Sequence, residues 1–289
     1  MTYRVQLIAP SSGIADAENG LEQSVALLTK HNFIVKKPKS DICINLHFYA
    51  NTVEKRLEDL RAALLDPDVD IIWMFRGGYG ASEVAIECLE IKPSHPKILI
   101  GFSDGTVLHT LFNEHYKMPS IHGSGCSSLL GKQAKHIDDI MAILNGSDTE
   151  VALHPLTKAA HGFKLTSTIT GGNLTVLATL IGTKLHPVTK NKILLLEDVS
   201  ERGYSVRRDL NHLSQAALLD EVSALVLGDF TESDEHLDFA IEDFCSRNEH
   251  IPIFRVSGIG HGDTNTPIVF GSRATINEGL LKASSPFGH

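Results

Sequence analysis

Short apolar runs alternate with longer amphipathic stretches along the N-terminal part of the chain. One such stretch starts at Asn51, with Glu54 three residues later as in a capping box, and apolar residues then recur at helical spacing. The runs have the length and composition of β-strands and are Tyr3 to Ala9, Phe33 to Val35, Ile71 to Phe75 and Ile98 to Phe102. Strands that alternate with helices favour a mainly parallel sheet, which binds ligands beyond the carboxyl ends of its strands.

The C-terminal half has a less regular pattern. The stretch from Asn145 to Thr170 is polar and weakly periodic, which predicts a connector between domains. Beyond it, the apolar run Ile193 to Leu196, a helical stretch near Leu210 to Leu219 and the strand-like Val222 to Leu227 indicate a second α/β unit. The predicted organisation is an N-terminal domain over 1–145, a linker over 146–170 and a C-terminal domain over 171–289.

Composition and charge disfavour several classes of partner. Of 289 residues, 26 are Lys or Arg and 35 are Asp or Glu, so the formal charge is −9. This sign is wrong for a protein that binds by neutralising phosphates, and we expect no nucleic-acid partner. The longest apolar runs fall short of the roughly 18 residues that cross a bilayer, and the N-terminal stretch lacks the apolar core of a signal peptide. We therefore expect a cytoplasmic protein without a membrane partner.

Metal and disulfide chemistry find no support in the spacing of cysteine and histidine. The cysteines contain no CxxC pair and are Cys43, Cys88, Cys126 and Cys245. We expect them to be reduced thiols. Because no histidine pair shows a ligand spacing such as HExxH, we expect neither a catalytic metal nor another cofactor.

The segment Gly101-Phe102-Ser103-Asp104-Gly105 follows an apolar strand and precedes a predicted helix. Such a sharp turn lifts a serine hydroxyl above the sheet and leaves the next backbone N–H, that of Asp104, facing a developing oxyanion. The pattern indicates a nucleophile elbow. A bare GxSxG also occurs by chance, so a solvated serine in a turn remains the alternative for this segment alone.

A second glycine-rich segment, Arg76-Gly77-Gly78-Tyr79-Gly80, follows the preceding strand. Glycines let a backbone approach a ligand closely or adopt positive φ, so Gly77 or Gly78 could supply another oxyanion N–H. A tight turn and a phosphate-cradling loop are the alternatives.

An acid and an imidazole could complete a catalytic set. Glu197 ends an apolar run, where its carboxylate could orient an imidazole, and Asp198 competes for that role. His261 lies in a glycine-rich loop able to present a side chain into a cleft. His122 is a reserve candidate, whereas His109, on the helix after the serine, is expected to pack or to lie on the surface.

Several of these segments, in this order, resemble the LD-carboxypeptidase family of serine peptidases, which includes muropeptide LD-carboxypeptidases and microcin C immunity peptidases. The matching segments are RGGYG at Arg76 to Gly80, GFSD at Gly101 to Asp104, HG at His122 and Gly123, GGNL at Gly171 to Leu174, LLLEDV at Leu194 to Val199, and GHG at Gly260 to Gly262. The resemblance implies a Rossmann-like N-terminal α/β domain with a mainly parallel sheet, a second α/β domain, an active site in the groove between them, and a homodimer.

The same resemblance implies a role for each candidate residue. Ser103 would be the nucleophile, His261 the general base and acid, and Glu197 the carboxylate that orients the imidazole. The oxyanion hole would be formed by the N–H groups of Asp104 and of Gly77 or Gly78. The implied reaction releases a terminal D-amino acid, D-alanine, from a murein tetrapeptide during peptidoglycan recycling.

Recognition of the terminal carboxylate calls for a cation, and Arg76 and Arg202 are the candidates. Arg207 departs from the family pattern, because it stands where we expect an acidic residue, which puts a local helix or interface contact in doubt. The only tryptophan is Trp73, so the segment after Asn145 has none to stack on a nucleotide. This favours a muropeptide over a microcin substrate.

Two other functions remain open on the residues alone. An α/β-hydrolase esterase shares GxSxG and the chain order Ser, acid, His. A binding protein without catalysis could instead hold a phosphate on the backbone of the Arg76 to Gly80 segment.

Overall fold

The computed structural model describes residues 2–14, 16–42, 47–131 and 133–288. The chain divides into two units, over residues 1–140 and 141–289. Each unit has its own sheet, as the predicted α/β class requires. Among the described residues, no helix combines the length and the apolar composition needed to cross a bilayer.

The first unit contains a parallel sheet. Its strands are β1 (Arg4–Ile8), β2 (Ile34–Lys36), β3 (Ile71–Met74), β4 (Ile98–Gly101) and β5 (Ser120–His122). They lie in the order β5-β4-β3-β1-β2, and each neighbouring pair is parallel. All four residues of β3 are buried, because a central strand of such a sheet is covered on both faces.

Helices α1 (Ala17–Lys30), α2 (Val53–Leu65), α3 (Ala81–Ala85) and α4 (Thr106–Thr110) lie between successive parallel strands of this unit. Two further helices, α5 (Cys126–Leu129) and α6 (His136–Leu144), follow β5, and α6 ends beyond residue 140. Helix α2 is the one predicted to start at Asn51. Its N-cap is instead Thr52, whose hydroxyl accepts a hydrogen bond from the Lys55 N–H, while the Asn51 side chain binds the N–H of Thr52.

The second unit contains a mixed sheet of eight strands in the order β6-β14-β13-β8-β9-β10-β11-β7. Its strands are β6 (Thr149–Ala152), β7 (His154–Pro155), β8 (Leu165–Asn173), β9 (Lys192–Val199), β10 (Ala224–Thr231), β11 (Ile253–Arg255), β13 (Arg273–Asn277) and β14 (Leu280–Ala283). The short strand β12 (Ile268–Phe270) is not part of this sheet. Strands β8, β9, β10 and β11 are parallel to one another, and the outer pairs are antiparallel.

Three helices, α7 (Leu174–Thr179), α8 (Gly203–Gln215) and α9 (Leu237–Arg247), belong to this unit. Leu194 and Leu196 of β9 pack in one apolar cluster with residues of these helices. Ile193 and Leu195, on the opposite face of the strand, pack in another. Burial on both faces explains why β9 reads as a continuous apolar run.

Two sequence predictions differ from the observed elements of this unit. The helix expected near Leu210 to Leu219 spans Gly203–Gln215. Residues 146–170, predicted as a connector between domains, contain β6 and β7 and the beginning of β8. Both β6 and β7 are outermost strands of the sheet, and short polar strands are typical of sheet edges.

Candidate active site

Ser103 lies on a sharp turn between β4 and α4. Phe102 is extended, Ser103 has φ +60°, and a 3-10 turn over Ser103–Gly105 leads into the helix. A positive φ is unfavourable for a residue with a side chain, so the surrounding structure must hold it there. This is the local geometry of a nucleophile elbow, with the half-buried Ser103 at its turn.

The two glycines that flank the elbow are required by packing. A Cβ atom on Gly101 would lie 2.5 Å from Sδ of Met74, and one on Gly105 would lie 2.7 Å from the same atom. Both distances are shorter than real contacts, so a side chain at either position would displace Met74. The GxSxG spacing therefore follows from one methionine of β3 beneath the turn.

The backbone of the Arg76 to Gly80 segment lies directly against the serine. A Cβ atom on Gly77 would come within 2.7 Å of Cβ and 2.9 Å of Oγ of Ser103. Gly78 has φ +114°, and a Cβ atom there would collide with Ser12. The segment thus packs so closely on Ser103 that a side chain at Gly77 would collide with it.

The side chain of Asp104 joins the elbow to the same segment. Its Oδ2 accepts hydrogen bonds from the Ser11 hydroxyl at 2.6 Å and from the Ala81 N–H, at the start of α3, at 2.8 Å. Burial raises the pKa of the Asp104 carboxyl, whereas these two hydrogen bonds favour its charged form. The sequence analysis assigned Asp104 only a backbone role and did not find this contact.

His261 and Glu197 are in hydrogen-bond contact within the second unit. Nδ1 of His261 lies 2.6 Å from Oε2 of Glu197, whose side chain is 0% exposed. Burial would lower the pKa of His261, but the hydrogen bond and the negative charge of Glu197, with smaller contributions from Asp198 and Glu232, raise it above its usual value. The imidazole is therefore oriented, and its charged form is stabilised.

Asp198, the competing acid, points to the opposite face of β9. Its carboxylate accepts hydrogen bonds from Nδ2 of Asn173 at 2.7 Å and from the N–H of Thr175 at 2.9 Å. Asn173 is also the N-cap of α7. The GGNL and LLLEDV segments therefore meet at this helix end, and Asp198 has a structural contact there.

The loop that carries His261 is held by backbone contacts. Gly260 has φ +141°, and a Cβ atom there would lie 3.1 Å from both Oε2 of Glu197 and the carbonyl oxygen of Asp229. The Asp229 carboxylate accepts the Gly258 N–H at 2.9 Å, and Asn265 accepts that of Gly260 at 3.1 Å. Asp229 and Asn265 were missed by the sequence analysis, since nothing in their spacing marks them.

The three arginines singled out in the sequence differ in their contacts. Arg76 is exposed and donates to the carbonyl oxygen of Gly13 at 2.9 Å, and Arg202 is an exposed residue at the N-cap of α8. Arg207 pairs with Asp243 at 2.8 Å. Their proposed roles in substrate binding and at an interface stay predictions.

His109 and His122 are buried in the first unit, as is His136. The ring nitrogens of His109 lie 2.7 Å from Oγ of Ser120 and 2.9 Å from the carbonyl oxygen of Gly101, and burial lowers its pKa to about 3. His109 is thus a packing residue, as expected. His122, the reserve candidate, is fully buried in β5.

Three cysteines are free and buried: Cys88, Cys126 and Cys245. Cys43 lies outside the described residues. Within the described part of the chain, no group of three or more His, Cys, Asp or Glu side chains is arranged to hold a metal ion.

Comparison with known proteins gives matches to both units. Residues 5–123 match the family model of the LD-carboxypeptidase N-terminal domain, and residues 166–276 match that of the LD-carboxypeptidase C-terminal domain. The murein tetrapeptide carboxypeptidase of Pseudomonas aeruginosa is 31% identical over 298 aligned residues, which cover 96% of this chain and 94% of that protein.

Two crystal structures share the fold. An MccF-like protein from Bacillus anthracis has a TM-score of 0.84 at 23% identity and covers 98% of this chain and 97% of its own. A muramoyltetrapeptide carboxypeptidase from Oxalobacter formigenes has a TM-score of 0.78 at 23% identity and covers 99% of this chain and 100% of its own. These matches confirm the predicted α/β fold class.

Proposed function

Because the chain belongs to the LD-carboxypeptidase family of serine-type peptidases, we propose that it releases the terminal D-alanine of murein tetrapeptide by hydrolysing the L,D-amide bond, a step of peptidoglycan recycling. The observation that carries the proposal is Ser103, held at φ +60° with the backbone of Gly77 against its hydroxyl. The relative from Pseudomonas aeruginosa, named for murein tetrapeptide, supports this substrate.

The catalytic residues of the proposal are Ser103, His261 and Glu197. Nδ1 of His261 is engaged by Glu197, so Nε2 is the ring nitrogen that acts as base. His261 takes the hydroxyl proton as Oγ of Ser103 attacks the amide carbon, and returns it to the departing amine of D-alanine. Water then attacks the acyl-enzyme with the same assistance, which restores the serine.

The tetrahedral intermediate needs donors for its negative oxygen. The proposed donors are the N–H groups of Asp104 and of Gly77 or Gly78. Two observations support these donors. Asp104 is the next residue after Ser103, and Gly77 packs so closely on the serine that a Cβ atom there would lie 2.9 Å from Oγ. One such donor typically contributes ~3 kcal/mol to the transition state.

The alternative function within the same family is that of a microcin C type immunity peptidase. The likeness to the MccF-like structure is the reason to keep it. An α/β-hydrolase esterase would have its serine, acid and histidine around one sheet. Here Ser103 follows a strand of the first unit, whereas Glu197 lies on a strand of the second. For this reason, and because the chain belongs to the LD-carboxypeptidase family, we do not retain the esterase function. Arg76 and Arg202 as carboxylate ligands, the homodimer and the cytoplasmic location stay predictions.

The decisive experiment offers the purified protein a murein tetrapeptide and the corresponding pentapeptide with a D,D-terminal bond, and identifies the released residue by mass. We expect D-alanine from the tetrapeptide alone. Ser103→Ala should abolish release, by a factor of up to ~10⁶ in turnover. Ser246→Ala, on α9, is the matched control and should retain wild-type release. Wild-type release by Ser103→Ala would refute the mechanism.

A further inference from the structure

The buried imidazole of His109 has a hydrogen-bond partner at each ring nitrogen. His109 lies on α4, the helix that follows the elbow, and is 1% exposed. Its Nδ1 lies 2.7 Å from Oγ of Ser120, and its Nε2 lies 2.9 Å from the carbonyl oxygen of Gly101. Burying a polar ring costs free energy unless it has such partners, so these two contacts allow a histidine at this position.

The chemistry of the partners fixes the direction of each hydrogen bond. Burial lowers the pKa of His109 to about 3, so near pH 7 the ring is neutral and has one N–H. A carbonyl oxygen can only accept, so this N–H belongs to Nε2 and donates to Gly101. Nδ1 therefore accepts from the Ser120 hydroxyl, and Oγ of Ser120 accepts from Nδ2 of Asn113 at 3.1 Å. A chain of hydrogen bonds thus runs from Asn113 to the Gly101 carbonyl.

This chain of hydrogen bonds joins three elements around the elbow. Gly101 is the last residue of β4, His109 lies on α4, and Ser120 is the first residue of β5. Because Gly101 precedes the turn and His109 follows it, their hydrogen bond bridges the turn on which Ser103 lies. The contact with Ser120 anchors the imidazole to the sheet.

The Gly101 carbonyl oxygen is held by two donors. It accepts the backbone N–H of Gly123 at 2.9 Å in addition to the N–H of the His109 ring. The oxygen lies in the planar peptide unit that joins Gly101 to Phe102, so both hydrogen bonds restrict rotation of that unit. Ser103 comes next, and its φ of +60° costs free energy and persists only where surrounding contacts oppose relaxation. The contact from His109 comes from a side chain, so a substitution can remove it.

We propose that His109 is a positioning residue for Ser103: its ring N–H holds the Gly101 carbonyl and thereby keeps the turn in the conformation that presents the proposed nucleophile. This inference rests on the proposed function, in which Oγ of Ser103 attacks the amide carbon. His109 acts through the backbone and takes no part in the proton transfers. A displacement of about 1 Å at the reacting atoms can lower turnover by about 10²-fold, so this contact has a measurable effect on kcat.

The kinetic test compares three substitutions. His109→Leu removes both ring contacts, and we expect kcat for tetrapeptide to fall roughly tenfold to hundredfold with KM near the wild-type value. His109→Gln keeps an N–H donor for the Gly101 carbonyl and should restore most of kcat, whereas Ser120→Ala removes only the anchor and should have an intermediate effect. His136→Leu is the matched control, because His136 is 2% exposed but lies on α6 and bonds to Asp139. It should leave kcat unchanged.

A second test measures the strain at Ser103 without any substrate. Glycine adopts positive φ without steric cost, so Ser103→Gly relieves strain as long as the turn keeps its conformation. The measurement is the shift in the urea midpoint of unfolding that Ser103→Gly causes in three backgrounds. The shift should be equally favourable in wild type and in His136→Leu, and clearly less favourable in His109→Leu, where the turn can relax.

Each outcome decides the inference. Equal midpoint shifts in all three backgrounds would overturn it, as would wild-type kcat in His109→Leu or a loss of kcat that His109→Gln does not reverse. If wild type releases nothing from tetrapeptide, the proposed function fails, and the comparison of urea midpoints alone decides whether His109 holds the turn. If His109→Leu does not fold, both measurements are made with Ser120→Ala, where smaller changes in the same direction support the inference and unchanged values refute it.

Discussion

The Asp104 carboxylate accepts the Ala81 N–H at 2.8 Å, which ties the residue after the proposed nucleophile to the first residue of α3. The same oxygen accepts the Ser11 hydroxyl. Because Gly77 and Gly78 lie between β3 and α3, this buried carboxylate connects the two segments that would supply the oxyanion donors. Fixing donors before the reaction is what makes an oxyanion hole effective.

Asp104→Leu tests this connection. Leucine has a similar branched shape but no accepting oxygen, so it leaves the Ser11 hydroxyl and the Ala81 N–H without their common acceptor. A buried donor without an acceptor costs about 1–3 kcal/mol. We expect a similar loss in the free energy of unfolding, measured with urea, and roughly a tenfold to hundredfold lower kcat.

Ser11→Ala is the graded control for this substitution, because it removes one of the two hydrogen bonds and keeps the carboxylate. Its effect on kcat should be smaller than that of Asp104→Leu. An Asp104→Leu protein with wild-type stability and kcat would show that the side chain has no positioning role.

Glu197→Gln should impair the orientation of the His261 imidazole without preventing the protein from folding. The amide is nearly isosteric but cannot stabilise the imidazolium, and the corresponding change in a serine protease triad lowers kcat by about 10⁴. We expect a folded protein with a loss of roughly 10³ to 10⁴ in kcat. Asp198→Asn should act differently, lowering stability through the N-terminus of α7 with a far smaller effect on kcat. If kcat is unchanged in Glu197→Gln, the carboxylate of Glu197 has no orienting role.

The raised pKa of His261 predicts a pH dependence. The general base must be neutral, so the acidic limb of kcat/KM should lie above the usual histidine value of about 6.5. In Glu197→Gln the residual activity should have its acidic limb at lower pH, because the hydrogen bond and the charge that raise the pKa are gone. An identical limb in the two proteins would assign it to another group.

The hydrogen-bonded pair of His261 and Glu197 also makes the free energy of unfolding depend on pH in a defined direction. The folded protein binds the His261 proton more tightly than the unfolded chain does, so the pair contributes fully below pH about 6.5 and loses its contribution as pH rises through the raised folded pKa. Urea unfolding at several pH values, compared between wild type and Glu197→Gln, measures this contribution.

The strands around the elbow could be predicted because apolar runs and glycine turns are local signals. The choice between Glu197 and Asp198 was also within reach of the sequence. Side chains alternate along a strand, so Glu197 shares a face with Leu195, away from the helices that Asp198 meets.

Other features depend on contacts between distant residues. The contact of Asp104 with Ser11 joins positions 93 apart in the chain, and the glycines around Ser103 are required by Met74, which no pattern of the elbow itself reveals. The rings of Phe48 and Tyr79 likewise lie 5.8 Å apart, although a helix and a strand separate the two residues along the chain.

Gly77→Ala makes the close approach at Ser103 testable. The new methyl group would lie 2.7 Å from Cβ of Ser103, so either the segment or the serine must move. Since loss of one oxyanion donor lowers kcat by about 10² to 10³, we expect a decrease of that size measured as tetrapeptide turnover. Gly131→Ala is the matched control, because the nearest atom to its Cβ would be the Ser128 carbonyl oxygen at 3.9 Å, and it should leave kcat unchanged. Wild-type kcat in Gly77→Ala would mean that the backbone at this position contributes nothing to the transition state.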